Sequence, residues 1–146
     1  MRILCIDFGD KNIGIAISDE ENLIAKGLGT IKMEENIVSK IKELIERYNV
    51  NKIVYGLPLK MDGSFSNQTE KTLAFISKLK EEIKNVEFIP WDERLTSTLA
   101  ERFLLSADLS RRKRKKLIDK LSAQIILQNY LDLNRIKKSK NEELEW

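Results

Sequence analysis

The hydrophobic pattern of the first third of the chain is that of a β-sheet. Residues 2–8 are apolar at most positions, which predicts a central strand buried on both faces. Residues 9–12 predict a tight turn. Residues 13–18 then alternate, with isoleucines on one face and small residues on the other, namely Gly14, Ala16 and Ser18. We therefore expect an antiparallel hairpin whose small-residue face lets another element pack closely.

Further along the chain, strand patterns alternate with helix patterns. The predicted elements are a third strand over 23–31, a helix over 34–48, a strand over 52–56, a long loop over 57–68, a helix striped by Leu73, Ile76, Leu79 and Ile83, a strand over 86–91, two helices over 96–106 and 112–133, and a frayed polar tail over 134–146. Pro90 favours an edge position for the last strand or an end of that strand, and it is expected to break the side-chain alternation. Hairpin strands followed by β-α-β units imply an α/β fold, a mixed five-stranded sheet flanked by helices.

Composition narrows the chemistry that the chain can perform. With 146 residues it suits one domain, which we place at 1–133, and no apolar run is long enough for a transmembrane helix. The strand pattern starts at once, so no signal peptide is expected, and the single Cys5 suits a reducing cytoplasm. The chain contains no histidine, which excludes Ser-His-Asp triads, Cys-His pairs and histidine metal ligands. Any catalysis must use carboxylates, hydroxyls, Lys, Arg or a metal bound by oxygen atoms.

The charges are distributed unevenly. Residues 94–140 hold thirteen Lys or Arg against four acids, a net charge of +9, so the rest of this +3 chain carries −6. Six cations follow one another at Arg111, Arg112, Lys113, Arg114, Lys115 and Lys116. Such a run is often a solvated surface, but cations at a helix start oppose the helix dipole, and bound phosphate would relieve this repulsion. We therefore expect a surface that binds a nucleic-acid backbone.

Three acidic positions are candidates for chemistry. Asp7 ends an apolar strand, Asp92 and Glu93 end the last strand, and Asp119 lies on a helical face shared with Ala123 and Ile126. Each has an ordinary alternative: a turn-capping Asp, acids at a helix N-terminus, and an Asp paired with a neighbouring lysine. From the residues alone, the choice between Asp92 and Glu93 stays open.

Together these acids indicate metal chemistry. Carboxylate oxygens are the ligands that Mg²⁺ and Mn²⁺ prefer. Two such ions about 4 Å apart activate water and stabilise the leaving oxygen in phosphodiester hydrolysis, without histidine. In the long loop, Phe65 could stack on an unpaired base, but we expect the ring to be tucked against the sheet.

Four sequence blocks resemble one known family. They are Asp7-Phe-Gly-Asp-Lys-Asn-Ile-Gly-Ile-Ala-Ile-Ser-Asp19, Gly56-Leu-Pro-Leu-Lys-Met-Asp-Gly-Ser64, Trp91-Asp-Glu-Arg-Leu-Thr96, and the run from Ser110 to Lys116 leading into Asp119-Lys-Leu-Ser-Ala123. In this order they resemble the YqgF (RuvX) family over residues 3 to 132. The chain departs from the family pattern at Asn12, Lys60 and Ser66-Asn67, in the turn and the long loop.

The resemblance implies a ribonuclease H-like fold and a nuclease. The family role is processing of the 5′ end of pre-16S rRNA in ribosome biogenesis, or alternatively Holliday junction resolution in recombination and repair. Asp7, Glu93 and Asp119 would be the catalytic acids and the ligands of Mg²⁺ or Mn²⁺. Nucleic acid would be bound by cations, namely Lys11, Arg94, Arg111, Arg112, Lys113, Arg114, Lys115 and Lys116.

Two other classes of function remain as alternatives. The chain could be a non-catalytic RNA-binding module in ribosome assembly, which predicts salt-sensitive binding that survives loss of Asp7. The spacing of Asp7, Gly9 and Gly14 also resembles a phosphate motif of actin-like ATPases, but those enzymes close two such domains around the nucleotide and this chain is long enough for one. The chain is expected to be a monomer or a homodimer, and two symmetric cuts in a junction would need two sites.

Overall fold

The structure is a computed structural model that describes residues 1–94 and 110–144. In the second range, side chains are described at residues 110, 113 and 121–139. The helix predicted over 96–106 lies outside the described residues.

The described elements follow the predicted order. They are β1 (Arg2–Phe8), β2 (Asn12–Ser18), β3 (Ala25–Lys32), α1 (Ile37–Tyr48), β4 (Val50–Leu57), α2 (Asn67–Glu82), β5 (Glu87–Asp92) and α3 (Arg111–Leu144). The strands form one sheet in the order β3-β2-β1-β4-β5. Strands β1, β2 and β3 are antiparallel neighbours, whereas β4 is parallel to both β1 and β5. The mixed five-stranded sheet is therefore confirmed, with β1 at its centre and β5 at an edge.

Helices cover both faces of the sheet because its central strands are apolar on both. One core joins the isoleucines of β2 to buried residues of α1 and α2, among them Ile41 and Ile76. The second core lies under α3, where Ala123 and Leu127 belong to the same buried cluster as Cys5 and Ala16. The small-residue face of the hairpin thus receives a helix, as its alternation predicts.

Two glutamines fix α3 along the edge strand β3. The side-chain oxygen of Gln128 accepts the Ala25 N–H at 2.9 Å, and its Nε2 donates to the Leu23 carbonyl at 3.0 Å. One turn earlier, Gln124 Nε2 donates to the Ala25 carbonyl at 3.4 Å, and its Oε1 lies 3.0 Å from where a Cβ on Gly27 would stand. Residues nearer the start of α3 therefore lie beside residues of β3 that are nearer Gly29.

Some predicted boundaries are wrong. Helix α1 begins at Ile37, since residues 34–36 form a turn in which the Ile37 N–H bonds to the Glu34 carbonyl at 3.1 Å. Residues 134–144 continue α3 instead of fraying. This stretch contains no Gly or Pro and is rich in good helix formers, and an Asp132–Arg135 ion pair at 2.7 Å supports the preceding turn.

Candidate active site

Asp7 lies at the end of the central strand on the face that α3 covers. It follows Ile3 and Cys5 at alternate positions of β1, and both of those residues belong to the core under α3. Its antiparallel partner in β2 is Gly14. The carboxyl group of Asp7 therefore lies where the buried face of β1 ends. Its neighbour in β2, Gly14, has no side chain to cover it.

Glu93 follows the edge strand directly and continues one of its faces. Ile89 and Trp91 pack against the core under α3, so the next alternate position is Glu93. The expectation that Pro90 breaks this alternation is wrong, since Pro90 stays in register with Tyr55 of β4. An edge strand accommodates proline because one of its sides has no hydrogen-bonding partner. Simple alternation through Pro90 would have pointed to Glu93 rather than Asp92.

Gly56 in β4 makes the meeting of these two acids possible. Strand β4 separates β1 from β5, so the two outer strands stand about 10 Å apart. A Cβ built on Gly56 would lie 2.8 Å from Glu93 Cδ and 2.9 Å from its Cγ, closer than atoms can pack. The Glu93 side chain therefore crosses the bare backbone of Gly56, and its carboxyl group shares a hydrogen bond with that of Asp7. Gly56 is absent from the predicted site residues, although a glycine inside a buried strand is a known signal of close approach.

The shared hydrogen bond and the burial of Glu93 determine its protonation. Burial, the hydrogen bond to Asp7 and then the charges of Asp7 and Asp92 raise the pKa of Glu93 from 4.5 to about 9. Beneath the pair, burial raises the pKa of the Cys5 thiol, and the charges of Asp7 and Glu93 add to this effect. Two carboxyl groups that hold one proton between them form a site at which a cation would replace that proton.

Asp92 takes a different role from Glu93. Its carboxylate accepts the Arg94 guanidinium, with Nη2 at 2.5 Å and Nε at 2.9 Å, and these hydrogen bonds lower the pKa of Asp92. Arg94 Nη1 also donates to the Met61 carbonyl at 3.1 Å. Arg94, predicted to bind phosphate, is thus engaged with Asp92 and with the loop after β4.

A cleft of about 560 Å³ opens beside Asp7. Its walls come from the β1–β2 turn, from Thr30 of β3 and from Gln68 at the start of α2. Gly9 shapes the turn, since a Cβ there would lie 2.7 Å from the Asn12 carbonyl oxygen. Lys11 is exposed in this turn, which leaves the predicted nucleic-acid contact sterically open. The cleft gives a substrate a route to the Asp7 carboxyl group.

The remaining predicted site residues lie in the first turns of α3. Asp119 is one helical turn before the buried Ala123, but its side chain and those of Arg111, Arg112, Arg114, Lys115 and Lys116 lie outside the described part. Lys113 is exposed, and its N–H bonds to the Ser110 hydroxyl at 3.4 Å where α3 begins. Among the described residues, no three acidic or cysteine side chains are arranged to hold a metal ion. Two acids of the predicted triad meet, and the third stays a prediction.

Phe65 contradicts its prediction. The ring is not tucked against the sheet, since 56% of the residue is exposed. The reason is that the loop after β4 folds into a short hairpin of its own. None of the described helices is both long and apolar enough to cross a membrane.

Two known proteins with similar sequences carry the same name. A protein of Caldanaerobacter subterraneus subsp. tengcongensis is 50% identical over 90% of this chain and 96% of its own length. A protein of Clostridium acetobutylicum is 52% identical over 90% of this chain and 98% of its own. Both are named "Putative pre-16S rRNA nuclease".

Solved structures show the same fold at low sequence identity. RuvC of T. thermophilus, in complex with a Holliday junction substrate, aligns with a TM-score of 0.56 and 15% identity over 92% of this chain and 96% of its own. The Holliday junction resolvase of fowlpox virus aligns with a TM-score of 0.52 and 18% identity over 90% and 99%. The ribonuclease H-like fold is confirmed. A family model described as RuvX, Holliday junction resolvase, matches residues 1–133. Because of this match and of the two relatives at 50% and 52% identity, the chain belongs to the RuvX (YqgF) family.

Proposed function

We propose that this chain is a divalent-metal-dependent nuclease that hydrolyses phosphodiester bonds at the edge of the sheet where β1 and β5 end. The observation that carries the proposal is the carboxyl pair of Asp7 and Glu93 above Gly56. Burying two acids beside each other costs folding free energy, as the raised pKa of Glu93 shows. Such strongly perturbed acids cluster at functional sites. Its position beside an open cleft gives it access to a substrate.

The donor set of this site suits Mg²⁺ or Mn²⁺. Asp7 and Glu93 offer only oxygen ligands, and the bare backbone of Gly56 lets the Glu93 carboxyl group reach that of Asp7. When bound, such ions activate a water molecule and stabilise the leaving oxygen of a phosphodiester. The residues themselves hold the carboxylate oxygens in place and supply negative charge that compensates the ions.

Asp119 is proposed as the third acid because of the register of α3. Gln128 and Gln124 bond to β3 at Ala25, and Gly27 lies against Gln124. Through the sheet, Gly27 is level with Ala16 and Cys5, and Thr30 is level with Gly14 and Asp7. Ala123 belongs to the same buried cluster as Cys5 and Ala16 and so marks the Cys5 level on α3. Four residues toward the start of α3, the helix has risen about 6 Å, roughly the step from the Cys5 level to the Asp7 level. The residue at that position is Asp119.

The proposed substrate is the 5′ segment of pre-16S rRNA, because both half-identical relatives are named as nucleases of that RNA. Branched DNA is the second candidate, which the description of the matching family favours. In either case the cations at 111–116, with Lys11, would contact phosphates, which carry no preference between RNA and DNA. Symmetric cutting of a junction would further require a homodimer.

The proposal is tested by replacing Asp7 with asparagine, which keeps the size of the side chain and removes its charge. We expect Asp7→Asn to abolish cleavage of both substrates in Mg²⁺ or Mn²⁺ while the circular dichroism spectrum stays parental. The matched control is Glu20→Gln, which neutralises an exposed acid bonded to Arg2 at the opposite end of the sheet. Cleavage by Asp7→Asn at the parental rate would reject the proposal that phosphodiester bonds are hydrolysed at the Asp7–Glu93 pair.

The same variant separates the nuclease from a non-catalytic RNA-binding module. A binding module would have no metal-dependent cleavage to lose, and Asp7→Asn would leave both its salt-sensitive RNA binding and its contribution to rRNA processing unchanged. A nuclease loses processing and retains binding. Cleavage assays and filter binding on the same preparations distinguish these outcomes.

A further inference from the structure

The loop between β4 and α2, which is bonded to Arg94 next to Glu93, presents two large apolar side chains to solvent. Phe65 is 56% exposed and Met61 is 88% exposed. Placing these residues in water forgoes the free energy that burial of their apolar surface would give. Single exposed apolar residues are common, but two on one short loop next to a reactive site suggest contact with a ligand.

The loop is a built hairpin, and its backbone is held at several points. Leu59 and Phe65 form an antiparallel bridge, and the Lys60 N–H donates to the Ser64 carbonyl at 2.9 Å. At the tip, the Asp62 carboxylate accepts both the N–H and the hydroxyl of Ser64, at 2.9 and 2.6 Å. Gly63 adopts a φ of +86°, a conformation that glycine allows at this turn.

Both ends of the hairpin are joined to stable elements. Arg94, the neighbour of Glu93, donates to the Met61 carbonyl at 3.1 Å and so ties the hairpin to the end of β5. At the other end, Ser66 caps α2 in a capping box with Thr69, whose hydroxyl also donates to the Pro58 carbonyl. Phe65 stands one residue before this cap. Its position is thus fixed in the free protein, which lowers the entropy cost of contact with a ligand.

We propose that the hairpin of residues 58–66 is a base-stacking platform, on which Phe65 receives an unpaired nucleobase next to the scissile phosphate. This inference rests on the proposed nuclease function and adds that the substrate is single-stranded or locally unpaired at the cut. Aromatic rings bind bases by stacking on their flat faces, and every base has such a face. A base inside a duplex is stacked between its neighbours, so its faces are not open to the protein.

The charges of the hairpin favour a base over a second phosphate. Asp62 is bonded within the hairpin, and these bonds lower its pKa, so the carboxylate stays charged. The Arg94 guanidinium is neutralised by Asp92 at 2.5 Å. Lys60 and Asp62 carry opposite charges on the same turn, so the hairpin offers an apolar surface without the net positive charge that a phosphate would require.

The test measures binding in an Asp7→Asn background, so that the readout does not depend on cleavage. The probes are short duplexes that contain 2-aminopurine, whose fluorescence falls on stacking, either as a single unpaired base or paired in the same sequence. RNA and DNA versions of each probe identify which nucleic acid supplies the base. We expect binding of the unpaired probe to be about tenfold tighter or more than that of the paired probe, with quenching on binding.

Variants of Phe65 assign the effect to the ring. Phe65→Leu keeps apolar bulk and should lose the preference and the quenching, whereas Phe65→Trp keeps an aromatic face and should retain both. Ile24→Ala is the matched control, because Ile24 is an apolar residue that is 64% exposed in the turn between β2 and β3, at the opposite end of the sheet from Asp7, and it should leave the preference and the quenching unchanged. The inference is overturned if the Asp7→Asn protein with Phe65 intact binds the two probes equally, or if Phe65→Leu in that background leaves the preference unchanged. Failure of the nuclease proposal is recognised separately, by cleavage that survives Asp7→Asn.

Discussion

At the scale of single residues, the site depends on a side chain that β4 does not have. Glu93 reaches Asp7 only because Gly56 leaves its backbone bare between them, with the Glu93 Cδ 2.8 Å from where a Cβ would stand. Neither acid shows this dependence in its own sequence neighbourhood. The pair is therefore a property of three strands together.

Gly56→Ala should separate the two acids. The added methyl group must displace the Glu93 carboxyl or the backbone, at a cost of about 1–3 kcal/mol in the free energy of unfolding. Displacement of about 1 Å at a reacting centre lowers turnover by about 100-fold. Urea denaturation and cleavage assays measure the two effects.

The control for this substitution is Gly27→Ala in β3. A Cβ there would approach the Gln124 amide oxygen at 3.0 Å, and this side-chain end can rotate away. We expect parental cleavage from Gly27→Ala, because the two hydrogen bonds of Gln128 to β3 and to the turn before it still keep α3 in register. Parental cleavage from Gly56→Ala as well would contradict the crossing of Glu93 over β4 as the basis of the site.

The protonation of Glu93 makes metal-free stability depend on pH. Its pKa is about 9 in the folded protein against an ordinary 4.5 in the unfolded chain. Between these values the folded protein holds a proton that the unfolded chain has released, so the free energy of unfolding falls as the pH rises. The stabilisation is complete below pH 4.5 and is lost as the pH passes about 9.

Urea unfolding in EDTA from about pH 5.5 to about pH 8.5 tests this slope. The parent should lose stability across the range. Glu93→Gln carries a neutral amide at every pH, so its decline should be shallower. Parallel curves for the two proteins would show that Glu93 titrates normally.

At the scale of elements, α2 and the hairpin before it are coupled through one threonine. Thr69 is fully buried, its hydroxyl accepts the Ser66 N–H at 2.9 Å, and it donates to the Pro58 carbonyl. Thr69→Val should cost about 1–3 kcal/mol in the free energy of unfolding, because it leaves two backbone groups without a partner. Urea denaturation measures the loss.

Thr72, one turn later, provides the comparison. It is equally buried, but its hydroxyl bonds at 2.9 Å to the Gln68 carbonyl, which already accepts a helical N–H. We expect Thr72→Val to cost less than about 1 kcal/mol. Equal losses from the two variants would show that the connection to Pro58 adds nothing to stability.

At the scale of the whole molecule, the sheet separates two layers of helices. Helix α1 packs on one face through Ile37, Val38 and Ile41, and α3 packs on the other, at the face that holds Asp7. The basic run 111–116 begins α3. Nucleic acid bound at the candidate site is thus expected on the α3 side.

The salt dependence of nucleic-acid binding tests this orientation. Lys113→Ala removes an exposed cation at the start of α3 and should reduce the slope of log K against log salt by about 0.7–0.9. Lys42→Ala removes an exposed cation from α1 on the far face and should leave the slope unchanged. A reversed result would place the substrate on the α1 side.

Much of the fold follows from local pattern. A run that is apolar on both faces predicts the central strand, alternation predicts the small-residue face of β2, and helical spacing predicts the stripe of α2. Pro90 favours an edge strand or a strand end. Each of these predictions depends on a residue and its near neighbours. The absence of histidine and the cluster of cations also restrict the chemistry through composition alone. Element boundaries are less accurately predicted, as α1 and α3 show, because capping and helix propensity act over only a few residues.

Only the tertiary structure decided which side chains meet. Glu93 rather than Asp92 joins Asp7 because β4 contributes a glycine between them, and Arg94 draws Asp92 away. Phe65 stays in solvent because its loop bonds to itself and to Arg94 instead of folding onto the sheet. These outcomes depend on register and free space between segments that are far apart in the chain. Alternation along β5 indicates which face Glu93 lies on, but not the glycine that it crosses or the acid that it meets. Residue types and their periodicity thus determined the elements, and packing among distant strands determined the site.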